Sequence, residues 1–318
     1  MSQHFLLSSK ARSLSLASVA RLSEDKARLV FQAIRWADND GEPYCPKCGC
    51  TIVYGYKNRP LWKCKACRHQ FSVTSGTIFA NHKLPLRDYL LAIAIFCNSA
   101  VGHSALQLSR DLDVQYKTAF VLAHKIRSTL AAESVGATAA GEVEIDGAYF
   151  GGYAKPTNWK ENRRDRRLSE NRSGKRRVVI VVRERKGRAL TFVEKSEDAS
   201  LPKIHEIVAP GTIVHADEAA HWDPLIRSFP TRRINHNEAY SDGEACTNQA
   251  EAFFSRLRKL EATHFHIAGV YLSAYAAEAE WRENHRRSSN GSQYNMVIAA
   301  AMRHPVSRQW SGYWQRAA

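Results

Sequence analysis

The sequence predicts a mixed α/β domain in the C-terminal part of the chain, preceded by a small cysteine-rich module and a helical segment. Two closely spaced cysteine pairs mark the small module, and apolar residues at helical spacing follow it. Between residues 142 and 216 the pattern changes to four apolar, strand-like runs, and helical spacing returns from Asn248. Strands followed by helices favour a sheet that is covered by helices.

Size and charge limit the possible classes of protein. The 318 residues exceed the roughly 100 to 200 residues of one domain, so we expect more than one folded unit. There are 46 Lys and Arg residues against 31 acidic ones, a net charge of +15. That excess favours a polyanionic partner, either nucleic acid or an acidic membrane surface.

Nothing in the sequence predicts a membrane or secreted protein. The longest apolar run, residues 89–101, is shorter than the roughly 20 residues that span a bilayer, so we expect a buried helix there. Lys10 and Arg12 interrupt any apolar core of a secretion signal. The seven cysteines are an odd number and mostly clustered, which fits a reducing compartment better than a set of disulfides. We therefore expect a cytoplasmic protein.

The first segment, residues 1–43, is predicted to be helical at its end. Apolar residues recur at helical spacing between Ser23 and Asp38. The turn-rich residues 39–43 then break the pattern. A short helix therefore leads into the cysteine-rich module.

Four cysteines in residues 44–80 form two CxxC pairs. Fifteen residues separate the pair Cys45 and Cys48 from the pair Cys64 and Cys67. This spacing is typical of a zinc ribbon, in which two tight turns present four thiolates to one Zn²⁺. Because four protein ligands leave no position for water, we expect a structural zinc. Two alternatives remain: four unliganded cysteines on turns, and Cys50 in place of Cys48.

Residues 81–135 contain a segment that resembles a helix-turn-helix. Apolar residues between Ser104 and Arg127 fit the inward faces of two short helices that meet near Leu112. The alternative is an ordinary helical hairpin with a packing role. In the first interpretation, four exposed residues at the start of the second helix would face base edges or phosphates: Gln115, Tyr116, Lys117 and Thr118.

Three acidic residues occupy positions suited to a metal site. Asp146 lies where an apolar strand meets a glycine-rich turn, Asp217 ends another strand, and Glu251 lies on an amphipathic helix. Taken singly, they could be a turn former, a helix cap and a solvated charge. Taken together, they offer the oxygen ligands that Mg²⁺ or Mn²⁺ prefers. Two such ions about 4 Å apart could activate an attacking hydroxyl or water and stabilise the leaving oxygen of a phosphodiester.

Three segments resemble the catalytic blocks of bacterial insertion-sequence DDE transposases of the ISXO-like group, which also carry an N-terminal zinc ribbon. The segments are EIDGAYFGG at 144–152, VHADE at 214–218 and TNQAEAFFSRLRK at 247–259. The resemblance runs from about Ser23 to Arg287. It implies an RNase H-like catalytic domain over residues 140–290, a central mixed sheet flanked by helices.

The same resemblance implies roles for individual residues. Asp146 would lie on the first strand of that domain, Asp217 after the fourth and Glu251 on the following helix, where the three hold Mg²⁺ or Mn²⁺. Asn248 lies one helical turn before Glu251 and would support the metal site. Relatives commonly carry an acidic residue after the first aspartate, whereas this chain has Gly147.

The activity implied is DNA transposition. The enzyme would cut the ends of its element and transfer the 3′ hydroxyl strand into target DNA, so its partners would be the terminal inverted repeats and the target. Because two DNA ends must be handled together, we expect a homodimer or higher oligomer on DNA. Two other interpretations stay open: a non-catalytic zinc-ribbon and helix-turn-helix regulator, and an RNase H-like nuclease that uses only water.

A strongly basic stretch follows the first predicted strand. Between Lys155 and Arg177 there are ten basic residues and three acidic ones. A loop of this kind could neutralise phosphates near the active site, or it could simply be a solvated charged loop. Residues 291–318 form a C-terminal tail whose aromatic residues suggest no role. The basic residues expected to contact DNA are Arg163, Arg164, Arg166, Arg167, Lys175 and Arg176.

Overall fold

The computed structural model describes residues 5–151, 161, 174, 176–234 and 246–315. The chain divides into two compact units. Met1–Glu133 and Arg287–Ala318 form the first, here called the N-terminal unit, and Ser134–Arg286 form the second, the sheet unit. In the described part of the chain, no helix is both long and apolar enough to cross a membrane.

The secondary structure follows the predicted order. The α-helices of the described residues are α1 (Leu16–Ala20), α2 (Glu24–Arg35), α3 (Leu86–Asn98), α4 (Ala105–Asp111), α5 (Tyr116–Ala131), α6 (Leu201–Ile207), α7 (Asn248–Thr263), α8 (Leu272–Asn284) and α9 (Asn290–Arg303). The strands are β1 (Val53–Gly55), β2 (Trp62–Cys64), β3 (Gln70–Phe71), β4 (Glu142–Phe150), β5 (Arg177–Glu184), β6 (Ala189–Glu194), β7 (Ile213–Asp217) and β8 (Thr231–Ile234).

The zinc-ribbon region is a small antiparallel sheet, β1-β2-β3, joined to α2 by aromatic packing. Trp36, which follows α2, is buried and contacts the rings of Trp62 and Phe71 at centroid distances of 5.5 and 6.3 Å. Ser23 caps α2 by accepting a hydrogen bond from the Lys26 N–H. The apolar residues whose spacing predicted this helix therefore also pack it against neighbouring elements.

Helices pack together in the rest of the N-terminal unit. The apolar run predicted as a buried helix is α3, which contacts α1, α2 and α9. Ser104 caps α4, and Asp113, in the left-handed region at φ 51°, turns the chain into α5. Residues 291–318, expected as a tail, contain most of α9, which packs on α2, α3 and α5.

The sheet unit contains a five-stranded mixed sheet in the order β6-β5-β4-β7-β8. The pairs β4–β5 and β5–β6 are antiparallel, and the pairs β4–β7 and β7–β8 are parallel. The sheet and its flanking helices confirm the mixed α/β, RNase H-like fold class. The sequence indicated four of the strands. It missed β8, since the four residues TRRI of that edge strand are mostly polar.

The two faces of the sheet carry separate apolar clusters, which decides where the acidic residues point. Val143, Ile145 and Val214 belong to a cluster that includes residues of α6. Ala148 and Phe150 belong to another, together with residues of α7 and α8. Because side chains alternate along a strand, even-numbered positions of β4 and odd-numbered positions of β7 face α7.

Candidate active site

Strand register brings Asp146 and Asp217 to the same level of the sheet. In the parallel pair β4–β7, Glu142 lies opposite Ile213 and Glu144 lies opposite His215. Continued two residues further, the register sets Asp146 beside Asp217. Both positions are on the face that α7 covers, so the two carboxylates project from neighbouring strands toward the same helix.

Helix α7 carries the other two predicted residues. Asn248 is its first residue and Glu251 lies three positions later, so both are on one side of the helix. Both side chains are exposed, whereas Phe253 and Leu257 on the opposite side are buried against the sheet. The amphipathic pattern therefore fixes the helix on the sheet, and Glu251 lies close enough to Asp146 for its charge to raise the pKa of that aspartate.

Electrostatic coupling ties the predicted carboxylates together. The pKa of Asp146 is raised to about 7, chiefly by burial, against a hydrogen bond from the Gly147 N–H that lowers it. The negative charges of Asp217, Glu251 and Glu197 contribute to this rise. Asp217 itself accepts a hydrogen bond from the Ala219 N–H at 3.1 Å. The region around Asp146, Asp217, Glu251 and Glu197, here called the acidic edge, thus concentrates negative charge. A divalent cation would neutralise this charge.

The carboxylates nevertheless stay apart from one another. A metal site needs several ligand atoms close together. Among the described residues, the four cysteines are the one group of three or more potential ligands whose ligand atoms all lie within 4.8 Å of one another. Asp146, Asp217 and Glu251 do not reach that mutual distance.

The raised pKa of Asp146 predicts a pH-dependent stability. In the folded protein Asp146 keeps its proton up to about pH 7, whereas an aspartate in the unfolded chain loses it near pH 3.9, roughly the reference value. Between these values the folded state binds more protons, so Asp146 lowers the stability as the pH rises. Asp146→Asn should remove this effect.

Urea unfolding at pH 5 and pH 7, without Mg²⁺ or Mn²⁺, measures the difference between Asp146→Asn and the parent. We expect the variant to gain free energy of unfolding relative to the parent over this interval, by at most about 1.4 kcal/mol per pH unit. Asp223→Asn is the control, since Asp223 is a surface carboxylate that pairs with Arg233 at 3.0 Å. A difference between Asp146→Asn and the parent that is constant with pH would contradict the prediction.

Glu197 is a fourth acidic residue at this edge, which the sequence did not reveal. Its Oε2 accepts a hydrogen bond from the Tyr149 hydroxyl at 3.3 Å and lies 3.6 Å from His221 Nε2. A Cβ atom at Gly147 would lie only 2.7 Å from Glu197 Oε1, so the glycine leaves the space that this carboxylate occupies. Burial raises the pKa of Glu197, and the charge of Asp217 raises it further.

Glu144 attaches the start of α7 to the sheet. This carboxylate is fully buried and accepts hydrogen bonds from the N–H groups of Gln249 and Ala250 at 2.7 and 3.1 Å. The N–H groups of the first helical turn have no partners within the helix, and they favour a negative charge. Because Glu144 lies two residues before Asp146, this cap places the helix that carries Glu251 beside that aspartate.

Arg185 connects the surrounding polar groups. Its guanidinium lies 3.4 Å from Glu144 Oε1 and donates to Glu142 Oε1 at 2.9 Å and to His215 Nδ1 at 3.2 Å. His215 Nε2 bonds in turn to Glu142 Oε1 at 2.8 Å. Burial lowers the pKa of His215, which favours the neutral imidazole that accepts from Arg185. Glu142, Glu144, Arg185 and His215 therefore form one connected polar network, next to the two aspartates, that links β4, β7 and the start of α7.

Loss of Glu144 is expected to be costly. Glu144→Ala leaves two buried N–H groups of α7 without an acceptor and takes a carboxylate from Arg185. We expect the free energy of unfolding to fall by about 3 to 5 kcal/mol, measured by urea denaturation with circular dichroism. Glu206→Ala is the control, because Glu206 pairs with Lys203 at the surface and should change stability by less than about 1 kcal/mol. Equal stabilities of the two variants would contradict the anchoring role.

The four cysteines converge in the N-terminal unit. The Sγ atoms of Cys45 and Cys67 are 3.5 Å apart, and those of Cys48 and Cys64 are 3.6 Å apart. Four thiolates around Zn²⁺ at about 2.3 Å would be separated by about 3.8 Å, so the cluster fits this ion. The Cys67 N–H donates to Cys64 Sγ at 3.5 Å, a contact that favours the thiolate that a metal requires. Cys50 lies outside the cluster and approaches the Ile52 carbonyl instead.

The residues expected to contact DNA have different placements. Gln115 to Thr118 are all exposed around the start of α5. Arg176 lies over the ring of Tyr149 at 4.9 Å, next to the acidic edge. The other basic residues predicted to contact DNA lie outside the described residues: Arg163, Arg164, Arg166, Arg167 and Lys175.

Comparison with known families decides the class of protein. Residues 22–70 match the transposase zinc-ribbon domain, and residues 138–284 match the ISXO2-like transposase domain. The chain carries an ISXO2-like transposase domain. The resemblance found in the three acidic segments is thus confirmed at the level of the family. The transposase-domain match includes Asp146, Asp217 and Glu251, and the ribbon match includes the four clustered cysteines.

The chain is also similar along most of its length to a protein of a known mobile element. That relative is described as an uncharacterized protein in transposable element ISH50 of Halobacterium salinarum. The two are 24% identical over 294 residues, which cover 88% of this chain and 98% of the relative. No solved structure matches the chain.

Proposed function

We propose that this transposase cuts the ends of its own insertion sequence and joins the freed 3′ hydroxyl to target DNA by metal-dependent phosphoryl transfer. The observation that carries the proposal is the common position of three carboxylates. Asp146 and Asp217 are level on neighbouring strands, and Glu251 is on the helix that covers that face. The match of residues 138–284 to a transposase domain supports the class of reaction.

The acidic edge suits Mg²⁺ or Mn²⁺. Carboxylate oxygens are the ligands that these ions prefer, and the pKa of Asp146, raised by burial and by three neighbouring carboxylates, marks a site that a cation would stabilise. Asp146, Asp217 and Glu251 would hold the metal, with Asn248 in support. A bound divalent ion supplies an activated hydroxyl and a stabilised leaving oxygen.

The chain's own residues orient this chemistry. Glu144 fixes the start of α7 and so the position of Glu251, and the Ala219 N–H orients one oxygen of Asp217. Tyr149 and His221 hold the Glu197 carboxylate beside Gly147. These contacts position charged groups before DNA arrives, which is the main protein contribution to phosphoryl transfer.

The DNA partners in this proposal are the terminal inverted repeats of the element and the target DNA. The zinc ribbon and the segment α4–α5 would recognise the ends, and the basic stretch after β4 would neutralise backbone phosphates. The net charge of +15 supports a polyanionic partner. Joining two ends requires at least a homodimer on DNA, and chromosomal DNA as substrate places the reaction in the cytoplasm.

A cleavage and joining assay tests the proposal. The substrate is DNA with the sequences that flank the encoding gene, incubated with the full chain and Mg²⁺. Joined products that depend on Mg²⁺ are expected. Cleavage without joining would replace the proposal with a nuclease, and specific binding without cleavage would replace it with a DNA-binding regulator.

A further inference from the structure

The N-terminal unit contains a cavity between α5, the loop before α3 and residues 310–315, here called the C-terminal segment. Its volume is about 720 Å³, within the range of small-molecule sites. Four aromatic side chains line it: Tyr89, Trp310, Tyr313 and Trp314. Three of them come from the segment in which the sequence indicated no role.

Specific contacts hold the C-terminal segment on α5. Trp310 Nε1 donates to Ser128 Oγ at 2.9 Å, and Trp314 Nε1 donates to the Lys117 carbonyl at 3.2 Å. The Phe120 ring contacts the rings of Trp310 and Trp314 at centroid distances of 6.1 and 6.0 Å. Trp310 and Trp314 are therefore packed onto α5, while Trp314 stays 48% exposed.

The cavity is basic as well as aromatic. Lys83, Lys117 and Lys125 line it, and among the described residues no Asp or Glu does. Within the part of the chain that the structure describes, none of the three lysines forms an ion pair with a carboxylate. Lys117 Nζ lies 5.3 Å from the centre of the Trp314 ring. Burial lowers the pKa of Lys125, so an anion beside it would be favoured.

The cavity adjoins the helix end that the sequence predicts to face DNA. Gln115, Lys117 and Thr118 line it, which are three of the four residues expected at base edges or phosphates. A ligand in the cavity would therefore lie beside a duplex that is bound at the start of α5.

We propose that this cavity binds one unpaired nucleotide of the DNA, with the base stacked on Trp314 and the phosphate near the lysines. Aromatic faces bind bases of any sequence by stacking, and lysines supply the matching positive charge. A base next to a distorted or open DNA end can leave the helix at a modest cost. The inference rests on the DNA binding in the proposed function, and it adds the C-terminal segment to the DNA-binding surface.

A fluorescent base tests the proposal in the full-length protein. The probes are two duplexes with the sequence that flanks the gene, one fully paired and one with a single unpaired 2-aminopurine, whose emission falls when it stacks on an aromatic ring. We expect the parent to bind the second duplex about tenfold more tightly or better and to quench its emission. Trp314→Ala should lose both effects, whereas Trp314→Phe should keep the quenching.

A lysine pair provides the matched control. Lys125→Gln should weaken binding of the unpaired probe severalfold, while Lys26→Gln, at an exposed position on α2 outside the cavity, should not. Thermal melting identifies any variant that fails to fold. Equal probe affinities and quenching in the parent and in folded Trp314→Ala would overturn the proposal.

The outcomes separate this inference from the proposed function. A parent that quenches the probe but never cleaves DNA with Mg²⁺ keeps the cavity assignment and overturns the strand-transfer reaction. A parent that cleaves and joins, yet does not prefer the unpaired base, overturns only the cavity assignment. A parent that binds no DNA overturns both.

Discussion

Asp217→Asn is expected to lower the rate of DNA cleavage and joining at least about a thousandfold, a loss of about 4 kcal/mol of transition-state stabilisation. Asparagine has the shape of aspartate, and its amide oxygen can still accept the hydrogen bond from the Ala219 N–H. It lacks the charge that a hard divalent cation requires. The change therefore removes one metal ligand while it preserves the local backbone.

A cleavage assay and a DNA-binding assay on the same protein check this prediction. Binding to the element ends should stay within about threefold of the parent, because the mutation lies outside the ribbon and the α4–α5 segment. Asp223→Asn, six residues further along the chain and paired with Arg233 at the surface, should keep its activity. An Asp217→Asn protein with cleavage within tenfold of the parent would exclude Asp217 from the metal site.

Cys64→Ser has the second large expected effect, the loss of the folded ribbon. The three strands of the ribbon pair over only two or three residues each, and structural zinc supplies about 10 kcal/mol or more to small modules. Without one thiolate, residues 44–80 should become sensitive to protease and the chain should no longer retain one zinc ion. Binding to the element ends should fall with it.

Zinc analysis and limited proteolysis measure the effect, and Cys50→Ser is the matched control. Cys50 lies two residues after Cys48 but outside the sulfur cluster, so its serine variant should retain zinc and resist protease. A Cys64→Ser protein with full zinc content would contradict the ligand set. Unchanged affinity for the element ends after zinc loss would remove the ribbon from DNA recognition.

Sequence patterns identified the elements whose signals are local. The spacing of two CxxC pairs predicted the cysteine cluster, and apolar runs predicted β4 to β7. Ser23 and Ser104 each precede a helix that they cap in the structure. The three acidic residues came from a family resemblance, since each alone had an ordinary explanation as a turn former, a cap or a surface charge.

Features that depend on contacts between distant segments were not predictable in this way. Glu197 follows β6 in an ordinary polar turn, and only the sheet order brings it beside Gly147. Glu144 was part of a family motif, but its role as a cap for α7 depends on a helix that starts 104 residues later in the sequence. The contribution of Trp310 and Trp314 to the cavity likewise could not be predicted, because it depends on their contacts with α5.

In the proposed reaction, Asp146, Asp217 and Glu251 form one site for divalent cations. Titration of the zinc-loaded protein with Mn²⁺, followed by the electron paramagnetic resonance signal of the free ion, tests it most directly. We predict that Asp146→Asn, Asp217→Asn and Glu251→Gln each weaken Mn²⁺ binding at least about tenfold, while Asp223→Asn binds as the parent does. Parent-like Mn²⁺ binding in all three variants would contradict the account.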